Sequence, residues 1–359
     1  MDQVPTTRTA LVVQDRGTVE SVGGLPLPCL SDGQVLIKTA SVALNPADAK
    51  MVKAGLPLSG VAGLDFAGTV VATRAKLRVG ARVCGVVCGY DQKRPDVGAF
   101  ADYVVAEADF VLELPDDLGF DEASTLPIGI LTAGLALYKT LKLPHPQQHP
   151  QKAGPYALVY GASTATGTLI TQLLQRSGLH PIAVCSPHNF DLARRSGATH
   201  CFDYHAATCA ADIRALTADT LDMAIDCIAT TPDTTRLCYA ALGPAGGRYV
   251  ALDRFSPAAH SRRTVRPSWV FAMAAFGTNV DWVAPYTSPA SPATRAFAVA
   301  WFREVETLLA GGAPLRCHPH RVVGCGLDAI PQALAVLGGG GVSGVKLVCT
   351  LSDERQERN

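Results

Sequence analysis

The chain has 359 residues, 48% of them hydrophobic and 17% charged, a balance that specifies folded cores and excludes a disordered protein. Its 31 Lys and Arg offset 31 Asp and Glu, so no net field or basic stripe is present to attract nucleic acid. The first residues lack a signal-peptide core, no apolar run is long enough to cross a bilayer, and eleven scattered cysteines suit a reducing compartment, so a cytoplasmic two-domain protein is expected.

From Thr9 to Leu112, short β-forming runs such as Thr9–Val13, Gln34–Lys38, Gly68–Thr73 and Tyr103–Ala106 alternate with turns, the pattern of a small β-barrel. One helix interrupts it, with Asn45 as N-cap, Pro46 at the first helical position, and Ala47 to Lys53 following. Cys84 and Cys88, four residues apart with no second pair, read as core thiols. From Asp121 the pattern turns helical and continues through Thr132 to Lys139. The segment Leu143 to Pro155 is polar and proline-rich, hence a surface loop.

Tyr156 to Tyr160 is a β-forming run broken by Gly161. Small hydroxyl residues follow, then Leu169, Ile170, Leu173 and Leu174 at helical spacing, with Gly178 where a helix ends. Strand, tight turn and helix form the entrance to a dinucleotide-binding βαβ unit, in which helix-start amides bind a pyrophosphate. Thr164 and Ala165 stand where glycines are commonest, but they are small, and the hydroxyls of Ser163, Thr164 and Thr166 add donors. Further strands at Pro181–Cys185, His200–Phe202, Leu221–Ile228 and Arg248–Leu252 alternate with helices, which predicts a doubly wound parallel sheet.

The second strand of such a sheet meets the adenosine ribose, where an Asp or Glu selects NAD. Here it ends in Ser186-Pro187-His188-Asn189, without a carboxylate until Asp191, which favours NADPH; the same residues also serve as a turn and helix cap. Tyr204 is read either as a ribose neighbour or as a strand-end packing residue. Residues 255–294 read as irregular, 296–309 as an amphipathic helix, and the tail as strands near Arg321 and Val345 flanking a helix at Ile330–Leu337. His318 and His320 read as packing or surface residues.

Several pieces together resemble the medium-chain dehydrogenase/reductase superfamily: Asn45-Pro-Ala-Asp-Ala-Lys50, Gly63-Leu-Asp65-Phe-Ala-Gly68, Gly98–Tyr103, the Gly161–Gly167 turn and Val342–Val348. Tyr160–Thr166, Cys185–Ala193, Phe202–Tyr204 and Trp282–Tyr286 narrow the resemblance to the trans-acting enoyl reductases of fungal highly reducing polyketide synthases. The resemblance implies an α/β fold, with a GroES-like β-barrel catalytic domain (1–125 with 313–359) and a Rossmann doubly wound parallel sheet (126–312). It implies NADPH contacts at Ala47, Asp48, Ala49, Lys50, Ser163, Thr164, Ala165, Thr166, Ser186, Pro187, His188, Asn189, Tyr204, Leu252, Asp253, Val342 and Ser343. Acyl-lining residues are implied at Thr132, Ala133, Gly134, Leu135, Ala136, Leu137, Tyr138 and Lys139, and at Ala272, Met273, Ala274, Ala275 and Phe276.

Zinc-dependent members carry a cysteine near the first helix and a Gly-His-Glu motif. This chain has Asn45 and Gly63-Leu64-Asp65 there, so no metal is expected. Reduction of a C=C bond conjugated to a thioester then needs donors for the enolate oxygen. Lys50 and Thr132 are the catalytic candidates, against a solvated helix lysine and a packed helix threonine. Residues 269–277 read as a groove wall or as buried core. The implied substrate is a polyketide intermediate on a partner synthase's acyl carrier, met by a monomer. A free-standing quinone or enone reductase is the alternative within enzymes, and a non-catalytic cofactor-binding protein the alternative outside them.

Overall fold

The computed structural model describes residues 4–14, 17–55, 60–146, 154–282, 284, 286–311 and 314–352. It divides into two units, Met1–Ile128 with Met273–Asn359, and Gly129–Ala272. Strands β1 (Thr7–Val13), β2 (Val19–Pro26), β3 (Gln34–Ala43), β4 (Asp65–Thr73), β5 (Arg82–Val86), β6 (Tyr103–Glu107) and β7 (Val111–Glu113) belong to the first. Strands β8 (Tyr156–Tyr160), β9 (His180–Val184), β10 (His200–Phe202), β11 (Met223–Asp226), β12 (Gly247–Ala251) and β13 (Val265–Trp269) form the second unit's sheet. The chain then returns to the first unit with β14 (Val280–Asp281), β15 (Thr287–Ser288), β16 (His320–Cys325) and β17 (Lys346–Thr350).

The first unit is built on a sheet ordered β16-β17-β3-β4-β5-β7, with β6 also paired to β3. Only β16 and β17 run parallel in it. β3 is buried along most of its length, as suits a strand with three sheet neighbours and both faces covered. This is the many-stranded half expected from the short-strand pattern, and the one for which the family resemblance implies a GroES-like fold.

The second unit's sheet is parallel throughout and ordered β10-β9-β8-β11-β12-β13. Numbered from its own first strand, that is the order 3-2-1-4-5-6 of a dinucleotide-binding Rossmann fold. Leu158, Ile182, Val184, Ala224, Tyr249 and Ala251 are buried in its core. Each large apolar side chain fully removed from water adds roughly 1.5–3 kcal/mol to the driving force.

Two expectations change. β13 lies inside the stretch read as irregular, because Pro267 and the polar Arg266 and Ser268 break any apolar pattern; as the last strand, paired only to β12, it tolerates a proline. Residues 273–312, assigned from sequence to the nucleotide-binding half, group with the first unit. There Phe276 packs on Phe110 at 4.5 Å, and Phe110 on Phe302 of the Pro292–Ala310 helix at 5.5 Å. Residues 147–153 of the expected surface loop, and Val283 and Pro285 of the Trp282–Tyr286 motif, lie outside the described residues.

Candidate active site

In the second unit, the order reversal between β8 and β11 marks where Rossmann sheets bind ligands. Gly161 leaves β8 at φ +74°, and a Cβ there would lie 2.8 Å from the Ile228 side chain, in the loop after β11. Gly167 is tighter, since a Cβ on it would meet the Gly161 carbonyl at 2.3 Å. The helix Ala165–Arg176 is capped by Thr164, whose hydroxyl donates to the Gly161 carbonyl at 2.9 Å and accepts the Gly167 N–H at 3.0 Å. Thr164, expected as a phosphate donor, is therefore committed to the turn. The first-turn amides of Ala165 and Thr166 lack intrahelical acceptors, and residues 163–166 are all half-buried rather than sealed. This turn fits a pyrophosphate.

The loop after β11 is fixed by Asp226. Its fully buried carboxylate accepts from the Ile228 and Ala229 amides at 3.0 and 2.8 Å, Thr234 Oγ1 at 2.6 Å and Tyr249 Oη at 2.8 Å. Sequence reasoning passed over this residue, whose only signal was an acid at the end of an apolar strand.

At the neighbouring strand ends, Ser186 Oγ lies 3.1 Å from Tyr204 Oη. Two hydroxyls thus converge beyond β9 and β10, where a ribose phosphate would be read. Pro187 and His188 are exposed, whereas Asn189 is buried at the start of the helix Phe190–Arg195. Leu252 and Asp253 are half-buried, and Asp253 Oδ1 accepts from the Arg254 amide at 2.7 Å.

Of the expected acyl-lining residues, Thr132 is half-buried and Lys139 exposed. Ala133, Gly134, Leu135, Ala136, Leu137 and Tyr138 are packed inside, several in a π-helical turn over Leu135–Thr140, with Tyr138 Oη 3.1 Å from Ser177 Oγ. Met273, Ala275 and Phe276 are likewise core residues, which leaves Ala272 and Ala274 as the half-open positions of the second segment.

In the first unit, the helix Pro46–Ala54 turns Asp48, Met51 and Val52 inward and leaves Ala47, Ala49 and Lys50 half-buried. Asp48 was expected at the cofactor. Its side chain is instead completely buried, accepting the Asn45 amide at 2.7 Å and Tyr90 Oη at 2.9 Å. The reason is local: Asp48 is the third helical residue and reaches back to cap the helix start. Val342 is half-buried and Ser343 exposed, just before β17.

Burial drives the Asp48 carboxyl up from 3.8 to about 7, against the opposing pull of the Asn45 amide and Tyr90. The folded protein therefore keeps a proton that the unfolded chain releases near pH 4. Stability should fall as pH rises from about 4 to about 7, by at most about 4 kcal/mol for this group. Asp48→Asn keeps an acceptor for the Asn45 amide and cannot ionise. Denaturant unfolding of the variant should lack that part of the decline; an unchanged pH profile would contradict this origin.

A second buried group anchors the same helix. Asp65 is fully buried and accepts the Lys346 ammonium at 2.7 Å, the Asn45 side-chain amide at 3.0 Å and the Ile128 amide at 2.8 Å. Lys346 also donates to the Thr125 carbonyl at 3.2 Å. Asp65 occupies the position at which the zinc-dependent pattern has glutamate, and its charge is balanced by an ammonium 281 residues away in sequence. His318 lies buried nearby, its imidazole pushed down to about 4 by burial and then by Lys346, which gives the neutral packing role expected of it. Cys84 and Cys88 are buried thiols; burial holds Cys84 far above its usual range and brings Cys88 up to about 12. Among the described residues, no three His, Cys, Asp or Glu side chains gather in a way that holds a metal ion, and no helix is long and apolar enough to cross a membrane.

Comparison with known proteins agrees with this architecture. Residues 31–116 match the alcohol dehydrogenase GroES-like domain, and residues 165–281 match the zinc-binding dehydrogenase family. Trans-enoyl reductase opdC of Penicillium oxalicum is 44% identical, over 97% of this chain and 98% of its own. Trans-enoyl reductase caaB of Aspergillus niger is also 44% identical, over 96% and 97%. The CurK enoyl reductase shares the fold at a TM-score of 0.75 and 19% identity, covering 96% of this chain and 99% of that one. Mycobacterial Rv1454c complexed with NADPH does so at 0.70 and 22%, covering 96% and 99%. With barrel, Rossmann sheet and near full-length identity in agreement, the chain belongs to the trans-enoyl reductases, oxidoreductases of the medium-chain dehydrogenase/reductase superfamily.

Proposed function

We propose that the protein reduces the α,β-double bond of a polyketide intermediate carried as a thioester on the acyl carrier of a partner synthase, using NADPH. The observation that carries the reading is the near full-length identity to trans-enoyl reductases, joined to a nucleotide turn with a hydroxyl pair beside it. Bound NADPH supplies the hydride that adds to the β-carbon. The Ala165 and Thr166 amides hold its pyrophosphate, and Ser186 and Tyr204 donate to the 2′-phosphate. Lys50 provides positive charge for the enolate oxygen, and Thr132 donates to the carbonyl. Ala272 and Ala274 present small side chains to the acyl group. Exposed Arg266 and Pro267 on the last strand of the Rossmann sheet disfavour strand pairing with a second copy, which supports a monomer.

Steady-state turnover with NADPH, an enoyl-pantetheine thioester and simple quinones tests the reading. Thioester reduction well above quinone reduction is expected, and robust quinone turnover without thioester reduction would favour a quinone reductase. Lys50→Ala should lower kcat for the thioester by about 100-fold, the scale of one positioned charge or acid. Unchanged kcat with weakened NADPH binding would move Lys50 from the substrate to the cofactor.

A further inference from the structure

The residue that follows β10 sits awkwardly for a phosphate site. Asp203 immediately precedes Tyr204, and a carboxylate beside a 2′-phosphate repels it. In this chain that charge is engaged. Asp203 Oδ1 accepts the His205 backbone N–H at 3.0 Å and lies 2.9 Å from His205 Nδ1. To bond a carboxylate, Nδ1 must carry the proton. The His205 ring in turn lies against the Tyr204 ring, with centroids 4.0 Å apart, and Tyr160 meets Tyr204 at 5.9 Å. Tyr204 Oη therefore reaches Ser186 from a ring packed by two neighbours. The His205 amide, with its imidazole, holds the Asp203 carboxyl below its usual range, so the acid is ionised at neutral pH and has to be dealt with as a charge.

We propose that His205 is a specificity-determining residue: by tying up Asp203 it keeps the negative charge from the Ser186–Tyr204 hydroxyl pair, so that this corner accepts a 2′-phosphorylated nucleotide. The inference rests on the reading that NADPH binds here. His205 acts through Asp203 and Tyr204 and is a positioning residue.

Fluorescence titration of the full-length protein with NADPH and with NADH, at one ionic strength, tests it. His205→Phe keeps an aromatic ring against Tyr204 and the backbone N–H to Asp203, and removes the imidazole that holds the carboxylate in place. It should raise the NADPH Kd about tenfold, with NADH changed less than about twofold. Adding Asp203→Asn to that variant should restore NADPH binding to near the starting value, which a merely structural role for His205 would not do. Equal weakening of both nucleotides, or no restoration by the second substitution, overturns the inference. If the unaltered protein prefers NADPH and His205→Phe keeps the preference, this inference alone fails. If the unaltered protein binds NADH as well as NADPH, the cofactor reading fails with it.

Discussion

Lys346→Ala is expected to destabilise the protein by about 3–5 kcal/mol, because it strands a carboxylate with no exposed surface. Asp65 keeps the Asn45 and Ile128 amides, but neither carries charge. Guanidinium unfolding at pH 7 measures the loss. The double variant Asp65→Asn with Lys346→Met should recover much of it, since an ion pair replaced whole by uncharged groups of similar size is often close to neutral. A loss below about 1 kcal/mol for the single variant would mean that the pair behaves like a surface bridge. Asn45, held by Asp65, also begins the helix that carries Lys50, the proposed catalytic residue.

Gly167→Ala should weaken NADPH binding by about 100-fold, the scale of a misplacement near 1 Å at a positioning site. The added methyl would collide with the Gly161 carbonyl, a backbone atom with no freedom to rotate away, and with the Thr164 hydroxyl at 2.9 Å. Opening the turn costs the Thr164 cap and moves the Ala165 and Thr166 amides away from the proposed pyrophosphate position. Titration with NADPH, paired with a thermal melt, separates this from general unfolding. Near-normal NADPH affinity in a folded variant would contradict the placement of the pyrophosphate.

Local pattern carried much of this structure. Gly161 after an apolar run, followed by leucines at helical spacing, specifies strand, turn and helix without reference to the rest of the chain. The parallel sheet followed from repeating that pattern. β13 was hidden because Pro267 and polar neighbours mask a strand that only its edge position permits. The hydroxyl at Thr164 was visible, but its partners were not, and a helix cap looks in sequence like a phosphate donor. For Asp48 likewise, only the fold shows its carboxylate turned inward to Asn45 and Tyr90. The Asp65–Lys346 pair spans most of the chain, and no local signal joins two such distant residues. Ser186 and Tyr204, by contrast, were each picked out singly, and the structure adds the hydrogen bond that makes them one group.

The most direct measurement follows the hydride. The protein is given NADPH deuterated at the transferring position of its nicotinamide, together with an α,β-unsaturated acyl thioester on the partner synthase's carrier or on pantetheine. The account predicts a saturated thioester with a single deuterium on the β-carbon, and far less product when deuterated NADH replaces NADPH. A thioester that stays unsaturated, or a saturated one without the label at that carbon, would contradict it.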